Sequence, residues 1–142
     1  MNRFFRTLFV LLILALPVAC MHDGAARPAD LDTSTTRLSD RGLYRVTIQP
    51  GEEPVPTGRM HTWTLHVETA AGAALDGAEI SVRGGMPEHG HGLPTAPQVT
   101  ESLGDGDYRV EGMKFSMGGW WTLTLDITAG GETDTVTFNL IL

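Results

Sequence analysis

The chain has 142 residues, a formal net charge of −7 and a single cysteine. This length favours one folded domain, and a lone cysteine excludes a disulfide within the chain. An acidic surface repels nucleic-acid phosphates, so we expect no DNA or RNA partner.

The first residues have the order of a secretory signal. Arg3 and Arg6 precede an apolar run from Leu8 to Ala19, which is shorter than the ~20 residues of a membrane-spanning helix. We therefore predict a signal peptide over residues 1–19 and a location in the cell envelope, on the periplasmic face. Removing the two arginines leaves 8 basic and 17 acidic residues, a net charge of −9.

Cys20 directly follows the apolar run, and Leu16-Pro17-Val18-Ala19-Cys20 resembles the lipobox of bacterial lipoproteins. One departure is Pro17, which stands where the lipobox prefers leucine. The resemblance implies a lipid on Cys20, and several acyl chains together give a stable membrane anchor. Met21 after the cysteine implies the outer membrane if the host is Gram-negative. Simple cleavage near this position, which would release a periplasmic protein, is the alternative.

Residues 20–41 show no period of 2 or 3.6. After Cys20, which the lipobox resemblance implies is lipidated, this composition predicts a flexible tether. The pattern changes near residue 42, so we predict the folded domain over residues 42–142.

The folded domain is predicted to be all-β. Apolar and polar residues alternate in short runs, separated by glycine, proline and aspartate turns. About seven strands are predicted, near residues 44–49, 61–68, 80–83, 99–103, 108–115, 121–128 and 136–142. Such strands favour an antiparallel, immunoglobulin-like β-sandwich. Gly112 indicates a bulge, and Tyr108 after a tight turn indicates a tyrosine corner. The predicted core consists of Trp63, Leu65, Val67, Ile80, Val82, Tyr108, Trp121, Leu123, Leu125, Phe138 and Leu140.

Common catalytic motifs do not occur in the sequence. It contains no Gly-x-Ser-x-Gly elbow, no phosphate-binding Gly-x-x-x-x-Gly-Lys-Ser/Thr and no cysteine after position 20. Its acids are scattered over turns and outward strand positions. We therefore predict that the chain is not an enzyme.

The glycine-rich segment 84–94 carries residues with metal-binding chemistry. His89 and His91 lie two positions apart, and Met86 and Glu88 precede them. Imidazole suits copper and zinc, and thioether sulfur selects Cu(I). In an extended segment, residues two apart point to the same side. The pattern predicts a copper site, and a loop of ordinary solvated histidines is the alternative.

Further donors are expected near the same end of the sandwich. Met117 lies at a predicted strand end beside glycines, so we expect it to be exposed and a candidate thioether ligand. His61 shares strand parity with Trp63 and is a further candidate ligand. Met113 is predicted to fill the core, and His66 has the outward parity of a surface residue.

Two stretches resemble the YtkA-like domain, a group related to FixH-type envelope proteins. They are Met86-Pro87-Glu88-His89-Gly90-His91-Gly92 and Phe115-Ser116-Met117-Gly118-Gly119-Trp120. The resemblance covers most of residues 42–142. It implies an immunoglobulin-like fold and, for FixH-type members, an association with copper supply to respiratory oxidases. Relatives often carry histidine at the position of Ser116. If that histidine is a ligand in them, this chain has one donor fewer, and a weaker site or none would follow.

The leading hypothesis is therefore a lipid-anchored β-sandwich that binds copper, as Cu(I) or Cu(II), for delivery or buffering in the envelope. Its ligands would be His89 and His91, with Met86, Met117 and His61 as further donors. The alternative is a non-catalytic interaction module of an envelope or respiratory assembly that holds no metal. An enzyme accessory domain or small-molecule binder is a third hypothesis.

Overall fold

The computed structural model describes residues 24–142, which form strands and loops but no helix. The strands are β1 (Thr36–Leu38), β2 (Tyr44–Pro50), β3 (His61–Thr69), β4 (Glu79–Met86), β5 (His91–Gly92), β6 (Gln98–Gly104), β7 (Asp107–Met113), β8 (Trp120–Ala129) and β9 (Glu132–Ile141). Over these residues there is accordingly no helical segment that could cross a bilayer.

The strands form two antiparallel layers. Their hydrogen-bonded order is β1-β2-β3-β7-β6-β4-β8-β9, with β5 paired to β4. The link between β6 and β4 is a single pair, Ser81 with Gln98. In contrast, β8 and β9 pair along their whole length, from Trp120 with Ile141 to Ala129 with Glu132. At this single pair the strand order divides into two sheets. One contains β1, β2, β3, β7 and β6, and the other contains β4, β8 and β9 with the short β5. This arrangement confirms the predicted all-β sandwich.

Alternating side chains of both layers form the core between them. Along β8, for example, Trp121, Leu123, Leu125 and Ile127 are buried while the threonines between them are not. Full burial of one such side chain stabilises the fold by roughly 1.5–3 kcal/mol. The predicted core residues are buried, except that Val82 and Leu140 are only partly so.

The sheet begins before the predicted domain boundary, because β1 lies within residues 20–41. Leu38 pairs with Arg45 on β2, and the Asn139 side-chain amide donates a 2.9 Å hydrogen bond to the carbonyl oxygen of Asp32. A three-residue edge strand is too short to show a period of 2, so the sequence pattern did not identify it. The predicted signal peptide and Cys20 lie outside the described residues.

Two local predictions about β7 are confirmed. His61 pairs with Met113 and Trp63 with Val110, so β7 holds one extra residue at the bulge around Gly112. At the other end of β7, the Tyr108 hydroxyl donates a 2.6 Å hydrogen bond to the Leu75 carbonyl and accepts one of 2.9 Å from the Ala78 amide.

The antiparallel pairings bring the candidate donors to one end of the sandwich. The start of β3, the ends of β4 and β7 and the start of β8 all meet there. We call this the loop end and define it by Met60, residues 86–92, Met117 and Ile141.

Candidate functional site

A hairpin made by β4 and β5 presents the two histidines. Met86 pairs with His91, and the amides of His89 and Gly90 both donate to the Met86 carbonyl, at 3.0 and 2.9 Å. Gly90 has a φ of 66°, a left-handed conformation that glycine adopts without steric cost. His89 therefore belongs to the turn and His91 to β5, so the two histidines do not lie in the single extended segment that their spacing predicted.

The rings of His89 and His91 nevertheless lie close together. Their centroids are 5.9 Å apart with planes inclined by 50°, and both residues are exposed. Two imidazoles on one ion have centroids roughly 5–6.5 Å apart, because each nitrogen lies ~2.0–2.1 Å from the metal. The observed separation is compatible with a shared ion.

A backbone carbonyl orients the imidazole of His91. Its Nδ1 lies 3.0 Å from the carbonyl oxygen of Gly92. A carbonyl oxygen only accepts hydrogen bonds, so Nδ1 is the protonated nitrogen and Nε2 presents the lone pair of the neutral ring. Metal-ligating histidines are commonly held by such a bond from the second ring nitrogen.

Met86 lies directly beside His91 in the hairpin. The two residues are cross-strand partners, and such partners project from the same face with Cβ atoms ~4.5–5.5 Å apart. Met86 is only 2% exposed, yet it lines a shallow depression together with Pro87, Gly90 and His91. The terminal methyl group of its thioether reaches Gly119, just before β8.

Met117 lies at the same end, next to Trp121. The Trp121 indole N–H donates a 3.0 Å hydrogen bond to the Met117 carbonyl, and the Trp121 ring meets the His91 ring edge-on at 5.5 Å. The Met117 side chain is 44% exposed, as predicted. Trp121 thus connects the backbone of Met117 to the histidine hairpin.

His61 is not brought into this group. Ring contacts run from His91 to Trp121, from Trp121 to Phe115 at 5.2 Å, and from Phe115 to His61 at 5.7 Å. Two buried rings therefore lie between the two histidines.

The hydrogen bonding of His61 also disfavours a ligand role in this conformation. Trp63 donates its indole N–H to Nδ1 of His61 at 2.9 Å. The neutral ring then carries its proton on Nε2 and has no free lone pair. Among the described residues, Nε2 has no hydrogen-bond partner. Burial lowers the pKa of His61, which favours this neutral form.

His66 is a surface residue, as its parity indicated. Its Nδ1 lies 2.7 Å from the Asp107 carboxylate, toward the opposite end of β3. Within residues 24–142, no group of three or more histidine, cysteine, aspartate or glutamate side chains is placed to hold a metal ion. The side chains beside the His89–His91 pair are a thioether and an indole.

The N-terminal segment touches the histidine hairpin, which no sequence pattern indicated. The Ala25 amide donates a 3.0 Å hydrogen bond to the Pro87 carbonyl. Gly24 lies so close to the Glu88 carbonyl oxygen that a Cβ atom would overlap it. We call Gly24 and Ala25 the strap. It fixes the start of the described chain against the hairpin turn.

The described chain is thus an antiparallel β-sandwich with a histidine-bearing hairpin at one end. Residues 42–126 match the model of the YtkA-like family, a match that covers more than half of the chain. The chain belongs to the YtkA-like family, as the two sequence stretches indicated. No curated protein and no solved structure matches it significantly.

Proposed function

We propose that this YtkA-like domain is a non-catalytic copper-binding protein of the bacterial envelope, attached to the membrane through a lipid on Cys20. His89 and His91 hold the ion as Cu(I), and the bound copper is buffered or delivered to an envelope or respiratory partner. The main support is the 5.9 Å separation of two exposed imidazole rings on one hairpin.

The neighbouring donors favour copper over zinc. Structural zinc sites use mainly thiolate and imidazole ligands, whereas thioether sulfur selects Cu(I). Met86 is the cross-strand partner of His91, and Met117 is exposed at the same end. These two methionines are the proposed sulfur donors. His61 is left out because Trp121 and Phe115 lie between it and the hairpin.

The charge of the mature chain supports a cationic cargo. A net charge of −9 remains once the signal arginines are removed. Such a charge raises the local concentration of cations by long-range attraction. This attraction increases the association rate of any cation and does not favour one metal over another. The preference for copper therefore depends on the imidazole and thioether ligands.

A Cu(I) titration tests the ligand set. Residues 21–142 are titrated with Cu(I) against a competing chelator, in the parent and in the His89→Ala/His91→Ala variant. We expect the double variant to bind at least about 100-fold more weakly, equal to about 2.8 kcal/mol. His66→Ala is the matched control and is expected to bind like the parent. His66 lies on β3 about 17 Å from His61, the residue with which that strand begins at the loop end.

Two outcomes would reject this proposal. Unchanged affinity in the double variant would remove His89 and His91 as ligands. A parent chain that binds no Cu(I) would instead favour the metal-free interaction module, and a pull-down from membranes would then search for its partner.

The lipid anchor is tested separately. Full-length chain and the Cys20→Ala variant are expressed with the native signal, and cell membranes are washed and floated on a density gradient. We expect the parent to float with the membranes and the variant to appear in the soluble envelope fraction. A variant that still floats would show that another feature attaches the chain.

A further inference from the structure

We infer that the loop end faces the lipid bilayer, so that the His89–His91 hairpin takes up and releases its cargo at the membrane surface. The inference rests on the lipid anchor proposed above. Its occupant is a phospholipid surface, and it is independent of whether copper is bound.

The first support is the position of the strap. Ala25 is hydrogen-bonded to Pro87, and Gly24 packs against the Glu88 carbonyl. Cys20 lies only four residues before Gly24, a distance of at most ~14 Å even when fully extended. The opposite end of the sandwich is one strand length away, about 30 Å for the nine residues of β3. An anchor at Cys20 therefore holds the loop end closer to the bilayer than the opposite end.

The second support is the exposed apolar surface of the loop end, which carries three of the five large exposed apolar side chains of residues 24–142, whereas Leu38 and Leu103 lie toward the opposite end. Met60, Met117 and Ile141 have exposed fractions of 65%, 44% and 49%. They come from different segments, just before β3, just before β8 and at the end of β9, yet all lie at this end. Apolar side chains that point out of a domain beside a lipid anchor gain free energy by entering the headgroup region.

The ion pair beside Met60 does not oppose such a contact, and the exposed Glu88 is the acidic side chain of the hairpin turn. Beside Met60, Arg59 is ion-paired with Glu52, so the charges of that pair compensate. The domain as a whole remains acidic, and anionic lipids would repel it. A zwitterionic lipid surface is therefore the expected occupant. The acyl chains provide the affinity, while the strap and the apolar side chains set the orientation.

Fluorescence quenching in vesicles tests this orientation. Cys20 is the only cysteine and is blocked when lipidated, so Glu88→Cys and Ala71→Cys each provide one labelling site on the full-length, metal-free protein. Residue 88 lies in the hairpin turn and residue 71 in the turn after β3, at the opposite end. The labelled proteins are reconstituted in phosphatidylcholine vesicles that carry a nitroxide on the lipid headgroup.

We expect quenching at position 88 to exceed that at position 71 by at least about twofold, because the two ends differ by ~30 Å in distance from the lipid. Equal quenching, or stronger quenching at position 71, would overturn the inference. Met60→Ser/Ile141→Ser should lower the quenching at position 88. If quenching at position 88 is unchanged in this variant, the apolar side chains do not contact the lipid, and the strap alone orients the domain.

A strap variant separates orientation from attachment. Gly24→Ala places a Cβ against the Glu88 carbonyl and should release the strap. We expect this variant to float with the vesicles as the parent does, but to lose most of the difference in quenching between positions 88 and 71. Ala26→Ser, two residues along, is the matched control and should keep the difference. If Gly24→Ala keeps it as well, the strap does not orient the domain.

The outcomes distinguish this inference from the proposals on which it depends. Loss of vesicle flotation in the parent would reject the lipid anchor itself. Flotation without a difference in quenching would reject only the orientation. Neither result depends on copper, since the measurements use metal-free protein.

Discussion

The indole N–H of Trp63 points at Nδ1 of His61, and this 2.9 Å hydrogen bond joins two buried side chains at the start of β3. The bond requires an unprotonated Nδ1, because an imidazolium would place two donors against each other. Burial lowers the pKa of His61, as does the charge of Arg59, while Glu52 acts in the opposite direction and is outweighed. The fold therefore holds His61 neutral.

This relationship predicts a loss of stability in mild acid. In the unfolded chain His61 takes up a proton near pH ~6.5, whereas in the folded chain it does so only at lower pH. Between these values the unfolded state binds more protons, so the free energy of unfolding falls as the pH is lowered below about 6.5. Urea unfolding at pH 7.5 and 5.5 measures the change.

The control for this prediction is His61→Gln, whose amide oxygen can still accept from Trp63. We expect the loss of stability between pH 7.5 and 5.5 to be smaller in this variant than in the parent. His66→Gln, which changes a partly exposed histidine on the surface, should leave most of the loss in place. An equal loss in the parent and in His61→Gln would contradict the prediction.

Tyr108 is expected to stabilise the fold through its hydroxyl. The group bonds both the Leu75 carbonyl and the Ala78 amide, and Tyr108 is buried. Tyr108→Phe leaves a donor and an acceptor without their partner, so we expect the free energy of unfolding to fall by about 1–3 kcal/mol. Copper affinity should not change, because Tyr108 lies at the end opposite the hairpin.

Tyr44→Phe is the comparison for Tyr108→Phe. The Tyr44 hydroxyl lies near two carbonyls, those of Ala129 and Glu132, and its loss leaves no N–H group without a partner. Unsatisfied carbonyls are tolerated better than unsatisfied N–H groups, so we expect a smaller loss than in Tyr108→Phe. Urea unfolding of both variants measures the two losses in the free energy of unfolding. A larger loss in Tyr44→Phe than in Tyr108→Phe would contradict this account.

Sequence patterns predicted the sandwich because most of its strands are long enough to show their alternation. The runs at Trp63 to Val67 and Trp121 to Ile127 each place apolar residues at every second position, and these are the buried ones. In contrast, β1 and β5 have three and two residues. Such elements form because a longer neighbouring strand offers hydrogen-bonding groups, which a local pattern does not reveal.

The site was predicted less completely than the fold. Spacing and residue type identified His89 and His91, but a turn and not an extended segment brings their rings together. The separation of His61 from His91 depends on Trp121 in β8 and on Phe115 in the connection between β7 and β8. The strap contact depends on a backbone amide and a backbone carbonyl, which carry no residue-specific signal.

Asp134 is predicted to stabilise the link between β9 and the β1–β2 turn. Its carboxylate accepts hydrogen bonds from the backbone amides of Arg41, Leu43 and Thr135. Burial raises its pKa, but the Ser39 side chain and these backbone amides together outweigh burial and hold the pKa below the ordinary value. The contribution is therefore complete above pH ~4 and is lost as the pH falls through the lowered pKa.

Asp134→Asn tests this contribution, since an amide accepts fewer of these bonds and carries no charge. We expect the free energy of unfolding at pH 7 to fall by about 1–3 kcal/mol, and the loss of stability in acid to become shallower. Asp40→Asn, an exposed acid in the same turn, is the control and should change little. Similar behaviour of the two variants would mean that the Asp134 bonds do not stabilise the turn.

The last prediction concerns the sulfur of Met86 as a ligand beneath the histidine hairpin. Met86→Leu keeps the volume of this buried side chain, so we expect a cost in folding below about 1.5 kcal/mol. If the thioether binds Cu(I), the variant should bind it at least about tenfold more weakly, equal to about 1.4 kcal/mol. Binding of Cu(II), which prefers nitrogen and oxygen donors, should change less.

Met113→Leu is the matched control for Met86→Leu. Met113 is fully buried and pairs with His61 rather than with the hairpin, so this variant makes the same chemical change in the core away from the proposed ligands. Its Cu(I) affinity should equal that of the parent. Equal affinities in both leucine variants would exclude Met86 and leave Met117→Leu as the remaining test of a sulfur ligand. Weaker Cu(I) binding by Met113→Leu would instead indicate that core packing affects the hairpin in general.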